Sequence, residues 1–402
     1  MRELRIIELA GYEENFLALQ EFSEEAAENL WHNYGKKVDV QWPSPKTNHR
    51  WKLTAQGWVG YIPLTPQLAI SLQPKVPLGN LFRMWEYAYQ FDFDFLEGLM
   101  ACDSLREFYE QLANILARRV LDRARRGFHR AYVGREERLP YVRGRVDVGR
   151  SVRRPLDIKL HCHYQEHTPD IEYNRILAWT LRCIARSGSC TERVLPTVRK
   201  AYRALHGVVT LTPYNAEDCE RQRYSRLNED YETLHTLCRF FLAHSGPTHL
   251  LGEHTMLPFL VYMPGLYERF VAEWMKQHLP PGLTIKAQDT VHIGQDEDLE
   301  FRIDLTLYDE ESSVPRYVLD TKYKVPSKLS TADIAQIVTY AHTKDCQEAL
   351  LVYPSPPDQP LDVWNHDIHI RSATFALDGN LEANGHDFLQ QVGLAPKRRT
   401  DR

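Results

Sequence analysis

The stretch FRIDLTLYDEESSVPRYVLDTKYK, residues 301–324, decides how the last third of the chain is interpreted. Two runs of alternating apolar and polar side chains flank a polar turn, which predicts a β-hairpin. The first run carries Asp304, and the second carries Asp320 and Lys322. Residues two apart on a strand project to the same face, so Asp320 and Lys322 should share a face while Thr321 points the other way.

A turn centred near Ser312 would place Asp304 opposite Asp320, because each lies eight residues from that centre. Directly opposed residues have Cβ atoms about 5 Å apart. Two carboxylates that close repel each other unless a cation lies between them, and a divalent metal ion with hard oxygen ligands would serve. Lys322 would then hold or deprotonate a water molecule, or stabilise charge on a phosphate, as in metal-assisted phosphodiester hydrolysis.

The alternative is an ion pair on a solvated hairpin, which would carry no chemistry. The apolar neighbours of the acids, Ile303 and Leu319 among them, instead predict largely buried strands. Charges in buried strands are usually paired or bind a metal ion. The neighbours therefore favour the metal site.

The composition indicates a large protein with more than one domain. The chain has 402 residues, 43% of them hydrophobic, with 8 Trp, 21 Tyr and 15 Phe, which predicts two or three packed domains rather than a disordered chain. The amino terminus lacks the apolar core of a signal peptide, and no run of 18 apolar residues occurs. Seven scattered cysteines without a CxxC pair fit a reducing compartment. We therefore expect a cytoplasmic protein that does not enter a membrane.

Three regions differ in their residue patterns. Residues 1–100 alternate strand-like runs with short helices, which predicts a β-rich region. Residues 101–250 are mainly helical by their apolar spacing and include an arginine-rich segment. Residues 251–402 predict a helix, three strands, a second helix and two further strands, an α/β order. The expected fold class is α+β with several domains.

The arginine-rich segment is strongly cationic inside an acidic protein. From Arg118 to Arg154 there are 13 Arg and 4 acids, a net charge of +9, so the rest of the chain carries −14 of the total of −5. Arginine favours bidentate contact with phosphate or carboxylate. A solvated helix face is the alternative. The candidate contacts with DNA or with an acidic partner surface are Arg118, Arg119, Arg123, Arg125, Arg126, Arg143 and Arg145.

The order of residues in the hairpin resembles a known nuclease motif. Asp304, fifteen further residues and then Asp320-Thr321-Lys322 are similar to the PD-(D/E)xK superfamily, although Ile303 stands where that motif has its proline. More narrowly, RIDLTL followed by VLDTKYK resembles the McrC family, the nuclease subunit of the modification-dependent McrBC restriction system. Further stretches resemble that family in the same order along most of the chain: ISLQPKVPLGNLFRMWEYAY, YVRGRVDV, HTPDIEYNRILAWTL and LYERFV.

The resemblance implies a PD-(D/E)xK endonuclease domain with a mixed central sheet over residues 251–402. It implies Mg²⁺, with Mn²⁺ as a substitute, held by Asp304 and Asp320 during cleavage of double-stranded DNA. It also suggests Glu268, on the helix before the first core strand, as an auxiliary metal or water ligand. Glu273 lies about 140° further round that helix and should face elsewhere. A surface glutamate is the alternative for Glu268.

A helix expected near 331–343 carries a polar stripe of Asp333, Gln336 and Tyr340, spaced three and four residues apart. In similar nucleases a Gln on this helix touches DNA or orders a water molecule, so the resemblance gives that role to Gln336. A polar stripe on an ordinary helix is the alternative.

No G-x-x-x-x-G-K-[ST] motif occurs, so we expect the chain to bind no nucleotide itself. The resemblance implies a partner instead, an McrB-like hexameric AAA+ GTPase that recognises modified DNA. The β-rich region would dock into that ring and stimulate its GTP hydrolysis. The expected function is thus an Mg²⁺-dependent DNA endonuclease subunit. The alternative is a catalytically inactive DNA-binding or ring-docking adaptor that retains the nuclease fold.

Overall fold

A computed structural model describes residues 5–65, 67–90, 102, 104–152, 158–244, 249–251, 254–256, 258–293, 299–324 and 330–394. The architecture is a mixture of helices and mixed sheets, as the sequence predicts. The chain divides into two compact units, the first made of Met1–Leu105 with Leu260–Arg402 and the second of Arg106–Phe259.

The elements follow in chain order. The first third contains β1 (Arg5–Ala10), β2 (Glu14–Leu17), α1 (Glu24–Tyr34), β3 (Val38–Gln41), a 3-10 turn (Pro45–Thr47), β4 (Trp51–Ala55), β5 (Trp58–Thr65), β6 (Leu68–Gln73) and α2 (Leu78–Tyr89). The middle contains α3 (Leu105–Arg126), β7 (Ala131–Leu139), β8 (Arg145–Val146), α4 (Val148–Val152), β9 (Leu160–Thr168), α5 (Glu172–Arg186), α6 (Leu195–Leu205), α7 (Ala216–Glu220), α8 (Asp230–His244), β10 (His249–Leu251) and β11 (His254–Met256). The last third contains β12 (Phe259–Tyr262), α9 (Met263–His278), β13 (Leu283–Ile293), β14 (Leu299–Asp309), β15 (Pro315–Thr321), α10 (Thr331–Lys344), β16 (Glu348–Tyr353), β17 (Asp362–Asn365), β18 (Ile368–Thr374) and α11 (Leu381–Val392).

The first third of the chain forms two small sheets around one core. Strands β2, β4 and β3 pair antiparallel, whereas the other sheet has the order β1-β6-β5-β12 with β1 parallel to β6. Ser23 caps the start of helix α1, where its side chain accepts a hydrogen bond from the Ala26 amide (3.2 Å), and Gly35 caps the end. Strand β12 comes from the last third of the chain, and its Leu260 is buried in the core of these sheets.

The two ends of the chain therefore share one compact unit, whereas the sequence analysis expects separate domains at 1–100 and 251–402. The unit boundaries at 105/106 and 259/260 lie close to the predicted ones. The amide of Asn80 in α2 donates to the Leu377 carbonyl (2.9 Å), and the Tyr87 hydroxyl donates to Glu382 of α11 (2.5 Å). Because these partners lie about three hundred residues apart, local pattern could not predict them.

The last third is built on a mixed six-stranded sheet with the order β13-β14-β15-β16-β18-β17. Strands β13, β14 and β15 are antiparallel, whereas β15, β16 and β18 are parallel. Helix α10 crosses from β15 to β16 and buries Ile337 and Ala341 against the sheet. From residue 259 onwards, strands β12 and β17 and helix α11 were not predicted, while the other elements match the predicted order.

The second unit contains the middle helices and a three-stranded sheet of order β7-β9-β8. Helix α3 buries Leu112, Leu116 and Val120 and ends at Gly127, which has φ +91°. The fully buried amide of Asn174 donates to the carbonyls of His129 (2.9 Å) and Pro169 (2.6 Å). No helix in the described parts of either unit is long and apolar enough to cross a bilayer.

Candidate active site

The register of the β14–β15 hairpin is the predicted one. Leu305 lies opposite Leu319 and Thr306 lies opposite Val318, which centres the turn on Ser312. Asp304 and Asp320 come next in that register, one step beyond the last paired residues. The two acids therefore lie where the strands β14 and β15 begin to separate.

Asp304 is held by Thr321, contrary to simple strand alternation. Its Oδ2 accepts hydrogen bonds from the Thr321 amide (2.8 Å) and from the Thr321 hydroxyl (2.9 Å). Strand β15 ends at Thr321, so the strict alternation of faces no longer applies there. Burial raises the pKa of the Asp304 carboxyl, although the two hydrogen bonds from Thr321 oppose that shift.

Asp320 and Lys322 do share a face, as predicted. The Lys322 ammonium lies 2.8 Å from Oδ2 of Asp320, whose residue is only 2% exposed. This oxygen nevertheless accepts no hydrogen bond of good geometry from the described residues. Burial, followed by repulsion from Asp304, raises the pKa of Asp320 to about 6 despite the nearby lysine. The Asp320 carboxylate is thus a buried group whose oxygen can also bind a metal ion.

Lys322 also contacts the polar stripe of α10. Its Nζ lies 3.3 Å from Asp333 Oδ1 and donates to Gln336 Oε1 (3.1 Å). The Gln336 amide donates in turn to the Tyr340 hydroxyl (2.7 Å), so the three predicted stripe residues do lie together. Burial lowers the pKa of Lys322, but Asp320 and Asp333 outweigh it and raise that pKa above its ordinary value. Lys322 is therefore a cation in this arrangement.

Glu268 of α9 lies beside the two acids of the hairpin. Burial, followed by the charge of Asp304, raises the pKa of Glu268 to about 7, and Asp320 contributes as well. The Gln288 amide donates a hydrogen bond to Glu268 Oε1, which partly opposes the shift. Glu273 instead forms an ion pair with Lys276 (2.6 Å), so it faces elsewhere as predicted.

Sequence reasoning missed two residues of this constellation, Gln288 and Thr321. Gln288 has φ +51°, and the β13–β14 pairing skips it between the pairs Ala287–Leu305 and Asp289–Ile303. A left-handed residue inside a strand is uncommon and carries no residue signature when it is a glutamine. Thr321 lies between Asp320 and Lys322 of the nuclease-like motif. A hydroxyl next to an acid there was the signal that could have identified it.

The carboxylates fit a hydrated divalent cation rather than a closed cage. In the described part of the chain, no group of three or more His, Cys, Asp and Glu side chains is arranged to hold a metal ion. Mg²⁺ usually binds through one or two carboxylates, with water and phosphate oxygens completing its shell. Asp304 and Asp320 supply such a pair, and Asp320 Oδ2, which is buried and contacts the Lys322 ammonium (2.8 Å), is a suitable ligand atom.

The seven predicted arginines fall into two groups. Arg123 pairs with Asp230 (3.3 Å), and Arg143 stacks on the Tyr164 ring with its guanidinium carbon 3.8 Å from the centroid. Those two side chains serve contacts within the second unit. The other five have exposed side chains: Arg118, Arg119, Arg125, Arg126 and Arg145.

A family model described as McrBC 5-methylcytosine restriction system component matches residues 53–354, about three quarters of the chain. The chain belongs to this McrBC family. The family predicted from the sequence is thereby confirmed. Asn174 and Asp170, which lie in the family-like stretch HTPDIEYNRILAWTL, form hydrogen bonds with the Pro169 carbonyl and the Arg175 side chain within the second unit.

Comparison with individual proteins agrees with the McrBC assignment. The chain is 24% identical over 227 residues to the type IV methyl-directed restriction enzyme EcoKMcrBC of Escherichia coli K12, covering 54% of this chain and 63% of that protein. The chain thus spans less than two thirds of that relative. The fold resembles a chain in the half-complex of Thermococcus gammatolerans McrB AAA+ hexamers with bound McrC, with TM-score 0.58, 19% identity, and coverage of 96% of this chain and 100% of that one.

Proposed function

We propose that this chain is the metal-dependent DNA endonuclease subunit of a McrBC-type restriction system. The observation that supports it best is the convergence of Asp304, Asp320 and Glu268 beside the Lys322 ammonium. Three mutually repelling carboxylates, each with a raised pKa, are costly unless a cation or a proton is supplied. The proposal includes a PD-(D/E)xK fold for the nuclease domain and a role for each of these residues in cleavage.

The residues divide the work of phosphodiester hydrolysis among themselves. Asp304 and Asp320 would hold Mg²⁺ or Mn²⁺, which when bound lowers the pKa of a coordinated water and offsets phosphate charge. Lys322 is cationic, so it stabilises negative charge on the phosphate rather than acting as a base. Glu268, with a pKa of about 7, is suited to take or give a proton near neutral pH. Gln336 keeps Lys322 in place.

The partner in this proposal is an AAA+ GTPase of the McrB type. The similar T. gammatolerans structure contains McrB AAA+ hexamers with bound McrC, and this chain has no P-loop motif. We therefore propose that the chain binds such a ring, stimulates its GTP hydrolysis and cuts modified double-stranded DNA only in its presence.

A second candidate function is a ring-docking or DNA-binding adaptor without catalysis. The arrangement of acids favours it in one respect, since no group of three ligands is pre-formed among the described residues. The substitution Asp320→Ala separates the two functions, with the exposed Asp358→Ala as a matched control. In assays with ring partner, GTP, Mg²⁺ and methylated duplex, Asp320→Ala should lose cleavage and keep stimulation of GTP hydrolysis. Cleavage that persists in Asp320→Ala would refute the site.

A further inference from the structure

Apart from the candidate active site, the first unit contains a cleft whose lining includes residues that come shortly after Lys322 in the chain. Its volume is about 530 Å³, within the range of ligand pockets. Its lining includes two lysines and two tyrosines, Lys75, Lys324, Tyr12 and Tyr323, together with Asp378. None of these residues belongs to the metal-binding or proton-transfer set described above.

The strand topology explains why these residues meet. Strands β15, β16 and β18 are parallel, so their carboxyl ends share one edge of the sheet, and Lys324, Ser355 and Asp378 follow them. Strands β1 and β6 are also parallel, and Tyr12 and Lys75 follow their carboxyl ends. The cleft is thus lined from the carboxyl ends of both sheets. In open α/β sheets, ligands bind outside the carboxyl ends of the parallel strands.

Two residues of the cleft, Tyr323 and Lys324, directly follow Lys322 of the candidate active site in the chain. Lys324 follows Lys322 by two residues, so their Cα atoms can be at most about 7 Å apart. One strand of DNA rises about 3.4 Å per nucleotide. A strand whose phosphate lies at Lys322 would therefore bring the backbone of a nucleotide one or two positions away to Lys324.

Tyr12 has a conformation that the surrounding structure must enforce. Its φ is +60°, which is rare for an aromatic residue. Its amide donates to the Ala55 carbonyl (3.1 Å), and a Cβ at Gly57 would overlap its hydroxyl, so only glycine leaves room there. The Lys324 ammonium lies 5.3 Å from the centroid of the Tyr12 ring, at cation–π distance. Such strain is retained where a side chain is needed in one position.

The charges of the cleft favour an anionic ligand. Lys324 and Lys75 are exposed, and Asp378 is the acid in the lining. Lys75 also lies 3.4 Å from Glu13, but both side chains are at least half exposed, so this pair is weak. Phosphate groups of a nucleic-acid strand supply anions at regular spacing, which suits two lysines contributed by two different sheets.

We propose that this cleft binds the sugar–phosphate backbone of the DNA strand one or two nucleotides from the scissile phosphate. Lys324 and Lys75 contact the phosphates, and Tyr12 is a positioning residue that holds Lys324. The inference rests on the proposed nuclease function, because that function supplies the DNA.

The test measures binding without cleavage. The full-length chain is titrated with a short fluorescent DNA duplex in EDTA over a series of KCl concentrations. For duplex DNA, the slope of log K against log salt is negative, and each lost phosphate contact lowers its magnitude by about 0.9. We expect that decrease, with several-fold weaker binding at low salt, for Lys324→Ala and for Lys75→Ala. Lys324→Arg should restore wild-type slope, and Lys36→Ala, which removes an exposed lysine elsewhere, should leave it unchanged.

Tyr12 variants test the positioning role. Tyr12→Phe keeps the ring and should bind DNA as the wild type does. Tyr12→Gly suits φ +60° and so keeps the backbone, but it should weaken binding as Lys324→Ala does. Thermal melts confirm that each variant is folded.

Two outcomes would overturn the proposal. One is an unchanged salt slope in Lys324→Ala, and the other is no DNA binding by the wild-type chain even at low salt. Cleavage is measured separately with Mg²⁺ and the ring partner. If Lys324→Ala binds and cuts DNA like Lys36→Ala while Asp320→Ala is inactive, the proposal that the cleft binds DNA is wrong and the nuclease proposal stands. If Lys324→Ala has a less steep salt slope but the wild type never cuts DNA, the nuclease proposal fails and DNA binding in the cleft stands.

Discussion

Replacing Asp320 by asparagine should stabilise the metal-free protein. The side chain is almost fully buried and its pKa is raised to about 6, first by burial and then by Asp304. In the unfolded chain that pKa is about 3.9. Between pH 4 and 6 the folded state therefore keeps a proton that the unfolded state has lost, so stability falls as pH rises through this window and stays low above it.

The magnitude follows from the size of the pKa shift. Two pKa units correspond to about 3 kcal/mol of lost stability at pH 7.5. Asparagine approximates the protonated carboxyl, so Asp320→Asn should recover about 1–3 kcal/mol. At about 2–4 °C per kcal/mol for a unit of this size, the melting temperature in EDTA should rise by roughly 2–12 °C. At pH 4.5 the wild type is itself protonated there, and the two proteins should melt together.

Divalent metal ions should reverse the order of the melting temperatures of the wild type and Asp320→Asn. A ligand that binds only the folded state at a hundred times its Kd stabilises that state by about 2.7 kcal/mol. Mn²⁺ should therefore raise the melting temperature of the wild type and have much less effect on Asp320→Asn. The exposed Asp358→Asn is the control and should behave as the wild type does. Equal melting in EDTA at pH 7.5, or an equal response to Mn²⁺, would refute the metal site.

Three further predictions concern the scaffold. Burial lowers the pKa of His235 to about 4, so stability should fall by up to about 3 kcal/mol as pH drops from 6.5 to 4, and denaturant melts of His235→Gln should show a much flatter pH profile. A Cβ at Gly385 would overlap the ring of Trp274, so Gly385→Ala should cost about 1–3 kcal/mol, whereas Gly79→Ala, which meets no atom within 4 Å, should not lower the melting temperature. Residues 260–402 expressed alone should lack a cooperative melt, because Leu260 loses the core in which it is buried and Leu377 and Glu382 lose their hydrogen bonds from α2. A sharp transition in that fragment would contradict the shared unit.

Much of the candidate site could be predicted because its information is local. The alternation of apolar residues and the near-symmetric spacing about Ser312 together determine the hairpin register, and with it the proximity of Asp304 and Asp320. The spacing of Asp333, Gln336 and Tyr340 likewise places them on one stripe of α10. Periods of two and 3.6 residues leave little freedom over such short distances.

The remaining features depend on contacts that no local pattern records. Gln288 has its left-handed conformation at the one position that the β13–β14 pairing skips, between Ala287–Leu305 and Asp289–Ile303, and a glutamine gives no sequence signal for it. Arg123 and Arg143 have the same residue type as their exposed neighbours, yet each pairs with an acid and stacks on an aromatic ring within the second unit. Charge counting along the chain cannot separate these cases.

The shared unit also changes how docking and cutting must be told apart. Removing residues 1–105 would take away two sheets whose core includes Leu260, together with the α2 contacts to the loop before α11 and to α11 itself. A loss of cleavage in such a deletion would therefore report unfolding as readily as loss of a partner. Point substitutions avoid this ambiguity because Asp320→Asn is expected to stabilise the metal-free fold while removing a metal ligand. An inactive variant that melts higher than the wild type cannot owe its inactivity to unfolding.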